Sequence, residues 1–203
     1  MSVFFSSDFH FRHRLVAGLR GFTKPDENGA LVSDRDAHDA ALVENWNRVV
    51  GPADVAWVLG DVGIGNEDEI LELVSRLNGR KQLIPGNHDS CHPMHRTAWK
   101  KQRKWLQVFE SVQAFTVVSL AGHIDVALSH FPYEGDHTRE DRFDQWRLRD
   151  SKLRLLHGHV HSSVRRTGIS SVHIGLDAWG LKPASEADVL REFRKPQKSE
   201  ESE

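Results

Sequence analysis

Gln82-Leu83-Ile84-Pro85-Gly86-Asn87-His88-Asp89 is a short apolar run that breaks at Pro-Gly into a cluster of Asn, His and Asp. An apolar run of this length, closed by turn residues, reads as a buried strand. The polar cluster then falls where the strand ends. The same succession recurs along the chain. Val3-Phe4-Phe5 leads to Asp8-Phe9-His10, and Val55-Ala56-Trp57-Val58-Leu59 leads to Gly60-Asp61. Val126-Ala127-Leu128 leads to Ser129-His130, and Leu153-Arg154-Leu155-Leu156 leads to Gly158-His159-Val160-His161. In a layered α/β protein the carboxyl ends of the strands gather at one edge, where ligands bind. Oxygen and imidazole donors converging there suit one or two hard-to-borderline divalent metals.

The segments between these islands predict the covering helices. Residues 36–50 carry Ala37, Ala40, Ala41, Val43 and Trp46 at helical recurrence, and Gly51-Pro52 stops the helix. Asn66 reads as the N-cap of a helix through Leu77, with Glu67, Asp68 and Glu69 in its first turn and Ile70, Leu71, Leu73 and Val74 inside. Asn78-Gly79 ends it, and residues 82–85 form the next strand. The first half is therefore β-α-β-α-β, the pattern of a sheet covered by helices. Residues 115–120 and 123–129 predict a β-hairpin, and residues 140–149 a short helix in a long loop beside the site. Residues 153–156, 163–166 and 171–174 predict short strands, and 186–193 a terminal helix. Residues 1–194 are expected to form a single domain of two stacked sheets, with 195–203 a charged, disordered tail.

A chain of 203 residues can bury a full core as one domain. Its 27 basic and 29 acidic residues give a net charge of −2, which disfavours general coating of polyanions and makes nucleic acid an unexpected partner. Cys91 is the single cysteine, so no intrachain disulfide forms and a reducing compartment is expected. The N-terminal Met1-Ser2-Val3-Phe4-Phe5 lacks the basic and apolar regions of a signal peptide. No run approaches the roughly 20 apolar residues of a membrane span. The expectation is a soluble, cytoplasmic protein with no membrane partner.

The order Asp-x-His, Gly-Asp, Gly-Asn-His-Asp, His and Gly-His-x-His, from Asp8 to His161, resembles the calcineurin-like metallophosphoesterase superfamily. Ser7-Asp8-Phe9-His10-Phe11-Arg12-His13, Glu44-Asn45-Trp46-Asn47, Leu77-Asn78-Gly79-Arg80-Lys81 and Gly175-Leu176-Asp177-Ala178-Trp179 resemble its compact bacterial and phage members. Arg12 stands where those members carry Gly. The resemblance implies a four-layer α/β/β/α sandwich of two mixed sheets flanked by helices. It also implies two divalent metal ions, with manganese expected ahead of iron, zinc, nickel or cobalt. It assigns Asp8, His10, Asp61 and His161 to one metal, and Asn87, His130, His159 and the shared Asp61 to the other. A carboxylate has two oxygens with which to bridge. The two aspartates offset only part of the dication charge, which leaves a site that attracts phosphate. A water held between two such ions is acidified enough to act as hydroxide.

His88 follows Asn87 directly, and the resemblance makes it catalytic rather than ligating, as a stabiliser of charge on phosphate or a proton donor to the leaving oxygen. An isolated Asn-His would instead read as a structural histidine. Asp89 is expected to accept from His88 and orient it. Arg12 and His13 are placed toward the substrate, Arg12 or Arg14 as a phosphate clamp, and Asp177 with Trp179 behind the metals. His159 and His161, two apart, would face opposite sides of a regular strand, so Gly158 is expected to let the chain turn. His157 is expected to pack at the strand end, and Cys91, His92 and His95 to have no metal role. Arg96, Lys100, Lys101, Arg103 and Lys104 read as a solvated helix with Trp99 and Trp105 turned inward. The competing reading of that cluster is a surface that holds a nucleotide or nucleic-acid backbone by charge and stacking.

The function expected is a dinuclear metal-dependent phosphoesterase. Metal-activated hydroxide would attack the phosphorus of small phosphodiesters, nucleotide-derived ones such as cyclic nucleotides among them. Protein phosphatases of the superfamily carry Arg just before Asn-His, where this chain has Pro85-Gly86, which favours diesters over monoesters. The alternatives are a phosphomonoesterase or protein phosphatase, then a nuclease, which would want a broader basic surface. Last comes a non-catalytic scaffold, which would be expected to have lost His88 or a ligand.

Overall fold

Among residues 1–195, which the computed structural model describes, the apolar runs before the first islands become strands with two buried faces. The chain starts with β1 (Val3–Ser6), followed by a short α1 (Arg14–Leu19), a hairpin of β2 (Thr23–Pro25) and β3 (Leu31–Ser33), and α2 (Arg35–Asn47). Then come β4 (Val55–Val58), α3 (Glu67–Ser75), β5 (Arg80–Leu83), α4 (Ala98–Trp105) and β6 (Ser111–Val112). The second half holds β7 (Thr116–Leu120), β8 (Ile124–Leu128), β9 (Arg154–His157), β10 (Ser171–His173), β11 (Ala184–Ser185) and α5 (Glu186–Arg194).

Two mixed sheets form. The first has the order β11-β1-β4-β5-β6, with β1, β4, β5 and β6 parallel and β11 antiparallel at the edge. The second has the order β10-β9-β8-β7, with β10, β9 and β8 parallel and β7 returning antiparallel. Alternation along the strands divides the core. Phe4, Ala56, Val58 and Leu83 face a helical layer with Leu42, Trp46, Ile70, Leu71 and Val74. Phe5, Leu59 and Ile84, one residue on, face the second sheet through Val126, Leu128, Leu156 and Val172. α5 packs on β1, β10 and β11 and adds Val189 to that inner layer. This is the expected sandwich of two mixed sheets with helices.

The local signals act as read, with some differences. Asn66 caps α3 through a bond from Asp68 N–H, and Ser185 forms a capping box with Asp188 at α5. α2 forms, but its buried face is His38, Asp39, Leu42, Val43 and Trp46, while Ala37 and Ala40 stay exposed. The helix is rotated because His38 and Asp39 serve the loop after β1, as described below. Residues 140–149 hold only a single 3₁₀ turn, Asp144–Trp146, where a helix was expected. Carboxylate–guanidinium pairs to Arg142 and Arg147 organise that loop instead of a helical ladder. The strand expected at 163–166 is reduced to one bridge between Arg166 and Val172. No helix among the described residues is long and apolar enough to cross a membrane. The tail expected at 195–203 lies, apart from Lys195, outside the described residues.

Candidate metal centre and active site

Every island follows the carboxyl end of a parallel strand: Asp8 and His10 after β1, Asp61 after β4, Asn87 after β5, His130 after β8, and His159 and His161 after β9. Backbone bonds lock the loops together. Asp8 N–H donates to Gly60 O at 3.0 Å, His10 N–H to Asp61 O at 3.0 Å, and Gly158 N–H to His130 O at 2.9 Å. Leu176 N–H donates to Ser7 O at 3.1 Å and ties the second sheet to the first.

Side-chain donors converge in two groups that share Asp61. Asp8, His10, Asp61 and His161 bring ligand atoms within 4.8 Å of one another, and so do Asp61, His130 and His159. Asn87 joins the second group, its Oδ1 lying 3.1 Å from His130 Nε2. The structure thus brings together the residues that the resemblance grouped around two metals. Asp8, His10, Asp61, His130 and His159 are buried, and His161 is half-buried.

The arrangement fits divalent cations on its own chemistry. His10 Nε2 and His161 Nε2 face each other at 3.0 Å, a spacing that suits either one shared proton or a cation held by both lone pairs. His130 Nδ1 lies 2.8 Å from Leu59 O, so that nitrogen carries the proton and Nε2 keeps its lone pair toward the cluster. Burial lowers the basicity of His10 and His130, and holds His159 at about 3, which keeps these imidazoles neutral and able to ligate. Burial and then the neighbouring charge of Asp8 push the Asp61 carboxyl above its ordinary range, although His88 N–H donates to its Oδ1 at 3.0 Å. Two carboxylates buried this closely are relieved either by a proton on one of them or by positive charge between them.

The second layer is partly as expected. Asp177 stands behind His161, with Oδ2 3.7 Å from Nδ1, and it raises the basicity of His161 against the effect of burial. Asp177 also takes a fork from Arg20, Nε at 2.8 Å and Nη2 at 2.9 Å. Trp179 packs in the inner core and donates its indole N–H to His173 O. His13 caps α1 by accepting from Val16 N–H at 3.3 Å, and its ring meets His10 edge-on at 5.4 Å. His157 is buried at the strand end against Thr167 Oγ1 at 2.6 Å.

Several residues act differently from their sequence reading. Asp89 was expected to orient His88. Its carboxylate instead takes the backbone N–H groups of Asp61, Val62 and Gly86 at 3.0, 3.0 and 2.8 Å, and so splices the Asp61 loop to the Asn87 loop. Arg12 was expected to clamp phosphate. It turns to Asp36, Asp39 and Glu69 at 2.6, 3.4 and 2.9 Å, and its backbone N–H bonds to Asp39, which explains the rotation of α2. Gly158 allows close approach rather than a turn: a Cβ there would stand 1.9 Å from Ser7 Oγ, while His159 and His161 carry the positive φ values, 70° and 47°. Trp105 packs inward as expected, but Trp99 is 72% exposed with Lys100 Nζ 5.2 Å from its ring.

His88 reaches the cluster from its open side. Its side chain is 42% exposed and Nε2 stands 3.9 Å from Asp61 Oδ2, its ring edge-on to His10 at 5.6 Å. Burial and the neighbouring His130, His13 and His161 lower its pKa to about 4. A phosphate anion beside it works the other way, favouring the protonated form.

Sequence reasoning missed three supports. Ser7 Oγ–H donates to Asp8 Oδ2 at 2.7 Å, and Arg20 donates to the backbone oxygens of Asp8 and Phe9 at 2.8 and 2.9 Å. Ser7 opens the first motif of the resemblance but was given no role there, and Arg20 carries no sequence signal. The third, Asp136 with His137, does: Gly135-Asp136-His137 has the composition of a further island, and it lies beside His159.

The family model for calcineurin-like phosphoesterases matches residues 1–163. The chain is 41% identical to the Gene 66 protein of Mycobacterium phage L5 over 191 residues, 88% of each chain. It is 45% identical to the Gene 66 protein of Mycobacterium phage D29 over 188 residues, 88% of this chain and 89% of that one. A protein of unknown function from Aquifex aeolicus has a crystal structure that superposes with a TM-score of 0.64 at 23% identity, covering 94% of this chain and 98% of that one. That likeness supports the fold.

Proposed function

Because the chain belongs to the calcineurin-like phosphoesterase family, and so to the metal-dependent phosphoester hydrolases, we propose that it is a dinuclear phosphodiesterase for small, nucleotide-derived diesters, cyclic nucleotides among them. The observation that carries this reading is the pair of donor groups meeting at Asp61. Asp8, His10, Asp61 and His161 would hold one ion, and Asp61, Asn87, His130 and His159 the other. The ions would supply a nucleophilic water at neutral pH and positive charge for the phosphoryl oxygens. The mixed nitrogen and oxygen donors suit manganese, with iron, zinc, nickel and cobalt as alternatives. Location in the cytoplasm belongs to the same reading, supported by the single buried thiol of Cys91.

The rim supports a diester. His13, His88 and His137 stand around His10, His159 and His161, with ring centroids 5.2–5.6 Å apart. Three guanidiniums around the cluster are committed elsewhere: Arg12 to three carboxylates, Arg20 to Asp177, and Arg142 to Asp136. Arg14, the other expected clamp, is exposed on α1 and makes no ion pair among the described residues. A monoester dianion gains from a bidentate arginine. A diester carries one negative charge and needs none. His88 would steady the developing charge or pass a proton to the leaving oxygen. The test is kcat/KM for bis-nitrophenyl phosphate and nitrophenyl phosphate, with metal-stripped protein reloaded with each metal. The diester should be preferred and chelation should abolish turnover. Turnover in protein shown metal-free by elemental analysis, or a strong monoester preference, overturns the reading.

One observation favours a nucleic-acid substrate as a second reading. Exposed Trp99 sits with exposed Arg96, Lys100 and Arg103, which make no ion pair among the described residues, and His95 of the same segment reaches Asn87 O at 3.2 Å. Aromatic and cationic groups of this kind hold single strands. Including a short single-stranded oligonucleotide in the same assay separates the two.

A further inference from the structure

Residues between β8 and β9 form a long loop that folds back over the cluster, and one acid of that loop is held without an assigned role. The Asp136 carboxylate is fully buried although its loop is on the surface. Arg142 grips it as a fork, Nε to Oδ2 at 3.0 Å and Nη2 to Oδ1 at 3.1 Å. His137 Nδ1 lies 2.9 Å from Oδ1, and His159 Nε2 lies 3.3 Å from the same oxygen. His159 Nε2 is buried and has no hydrogen-bond partner, and the Asp136 oxygen 3.3 Å away is a carboxylate within reach of its N–H.

Asp136, His137 and His159 together have the composition of a third cation site. The surroundings argue against that use. Arg142 already places a full positive charge across both oxygens of Asp136, and its Nη2 also stands 3.3 Å from His137 Nε2. A cation there would have to displace a guanidinium and share His159 with the main cluster. Ligating imidazoles instead commonly bind through one nitrogen while the other donates to a carboxylate, which fixes tautomer and ring orientation.

We propose that Asp136 is a positioning residue for His159: it takes the Nε2–H, turns Nδ1 toward Asp61 and His130, and, pinned by Arg142, latches the loop onto the site. The inference rests on the proposed reading of His159 as a ligand. Removing the carboxylate frees the ring to rotate and to shift its proton, which weakens the ion held by Asn87, His130 and His159. The other ion is untouched.

The experiment compares wild type, Asp136→Ala and Arg142→Ala in two measurements. Manganese titration by calorimetry with elemental analysis should give two equivalents in wild type. In Asp136→Ala one of them should bind ~10–100-fold more weakly, the usual effect of losing such a partner. Long-range ¹H–¹⁵N spectra of the metal-free proteins should show the His159 Nε2–H tautomer in wild type and its loss in Asp136→Ala. Arg142→Ala loosens the loop but keeps the carboxylate, and should retain that tautomer and most of the affinity. Unchanged tautomer and affinity in Asp136→Ala overturn the proposal, as does an equal loss in Arg142→Ala, which would reduce Asp136 to a loop anchor. Three equivalents in wild type falling to two in Asp136→Ala would make it a ligand instead. Wild type that binds a single ion defeats the dinuclear reading, and the spectra then still decide the Asp136–His159 pair.

Discussion

Replacing Asp61 by Asn should stabilise the metal-free protein while removing its response to metal. Asp61 is 1% exposed and its carboxyl oxygens approach those of Asp8 within 4.8 Å. Two unit charges at that separation repel by about 3–4 kcal/mol at an effective dielectric constant near 20. Asn keeps the shape and an Oδ1 that accepts from His88 N–H, but carries no charge. Allowing for relaxation and partial protonation, a gain of about 1–3 kcal/mol is expected, or roughly 2–4 °C in Tm per kcal/mol for a chain of this size. The sign with pH follows from the direction of the shift. The folded-state pKa of Asp61 lies above its ordinary 3.8, so its penalty is absent at lower pH and grows as pH rises from there. The advantage of Asp61→Asn should therefore widen between pH 4 and 7. Metal reverses the order. Ions bound only by the native state add RT ln(1 + [L]/Kd), about 2.7 kcal/mol at 100 times Kd, and the variant lacks the shared ligand. Thermal and urea unfolding in chelator and in manganese measure both effects. Metal-free Asp61→Asn less stable than wild type by more than 1 kcal/mol would refute the electrostatic reasoning, and an undiminished metal-induced rise in Tm would refute the shared-ligand role.

Two further changes probe other links. His88→Ala should keep the fold and both metals while kcat falls by ~10²–10⁴-fold, the range for a positioned acid or base. The loss should be steepest for alkoxide leaving groups if His88 donates a proton and even across substrates if it only stabilises charge; wild-type rates, or a lost metal by elemental analysis, would reject both roles. Gly158→Ala sets a Cβ 1.9 Å from Ser7 Oγ and 2.6 Å from Asp8 Oδ2, so about 1–3 kcal/mol of stability and the ion beside Asp8 should be lost together, read by urea unfolding and metal stoichiometry.

What could be read in the sequence was whatever depends on local pattern. Phe4 and Phe5, Val58 and Leu59, and Leu83 and Ile84 are adjacent apolar pairs, and a strand sends one of each pair to the helices and one to the opposite sheet. Hence a continuous apolar run announced a strand buried on both faces, and the residues after it announced the cluster of donors that the structure brings together. Helix faces were less legible where polar groups are buried. His38 and Asp39 look like solvent residues in α2, yet they are buried because Arg12 N–H and the Arg20 guanidinium need acceptors there. Arg12 and Asp89 show the same limit. Their chemistry was readable, but which partner wins depends on acids and backbone amides brought in by other segments.

The backbone of the site was hidden for a different reason. Asp8, His10, Asp61, His159 and His161 all sit at positive φ, between 47° and 70°. Sequence rules expect glycine in that region because an L side chain there costs about 1–2 kcal/mol. Glycine has no donor to offer, so a site that needs both the turn and the ligand must hold Asp or His in the strained conformation. Such strain persists only where the surroundings over-determine it. Here Arg20 grips the Asp8 and Phe9 carbonyls, Asp39 holds the amide of Arg12, and Asp89 holds those of Asp61, Val62 and Gly86. Each clamp is a charged side chain bonded to the main chain of a ligand loop. Their charges serve the backbone, which leaves the imidazoles and the two aspartates free to hold a cation in the proposed reading, with the half-exposed His88 on the open side of the cluster.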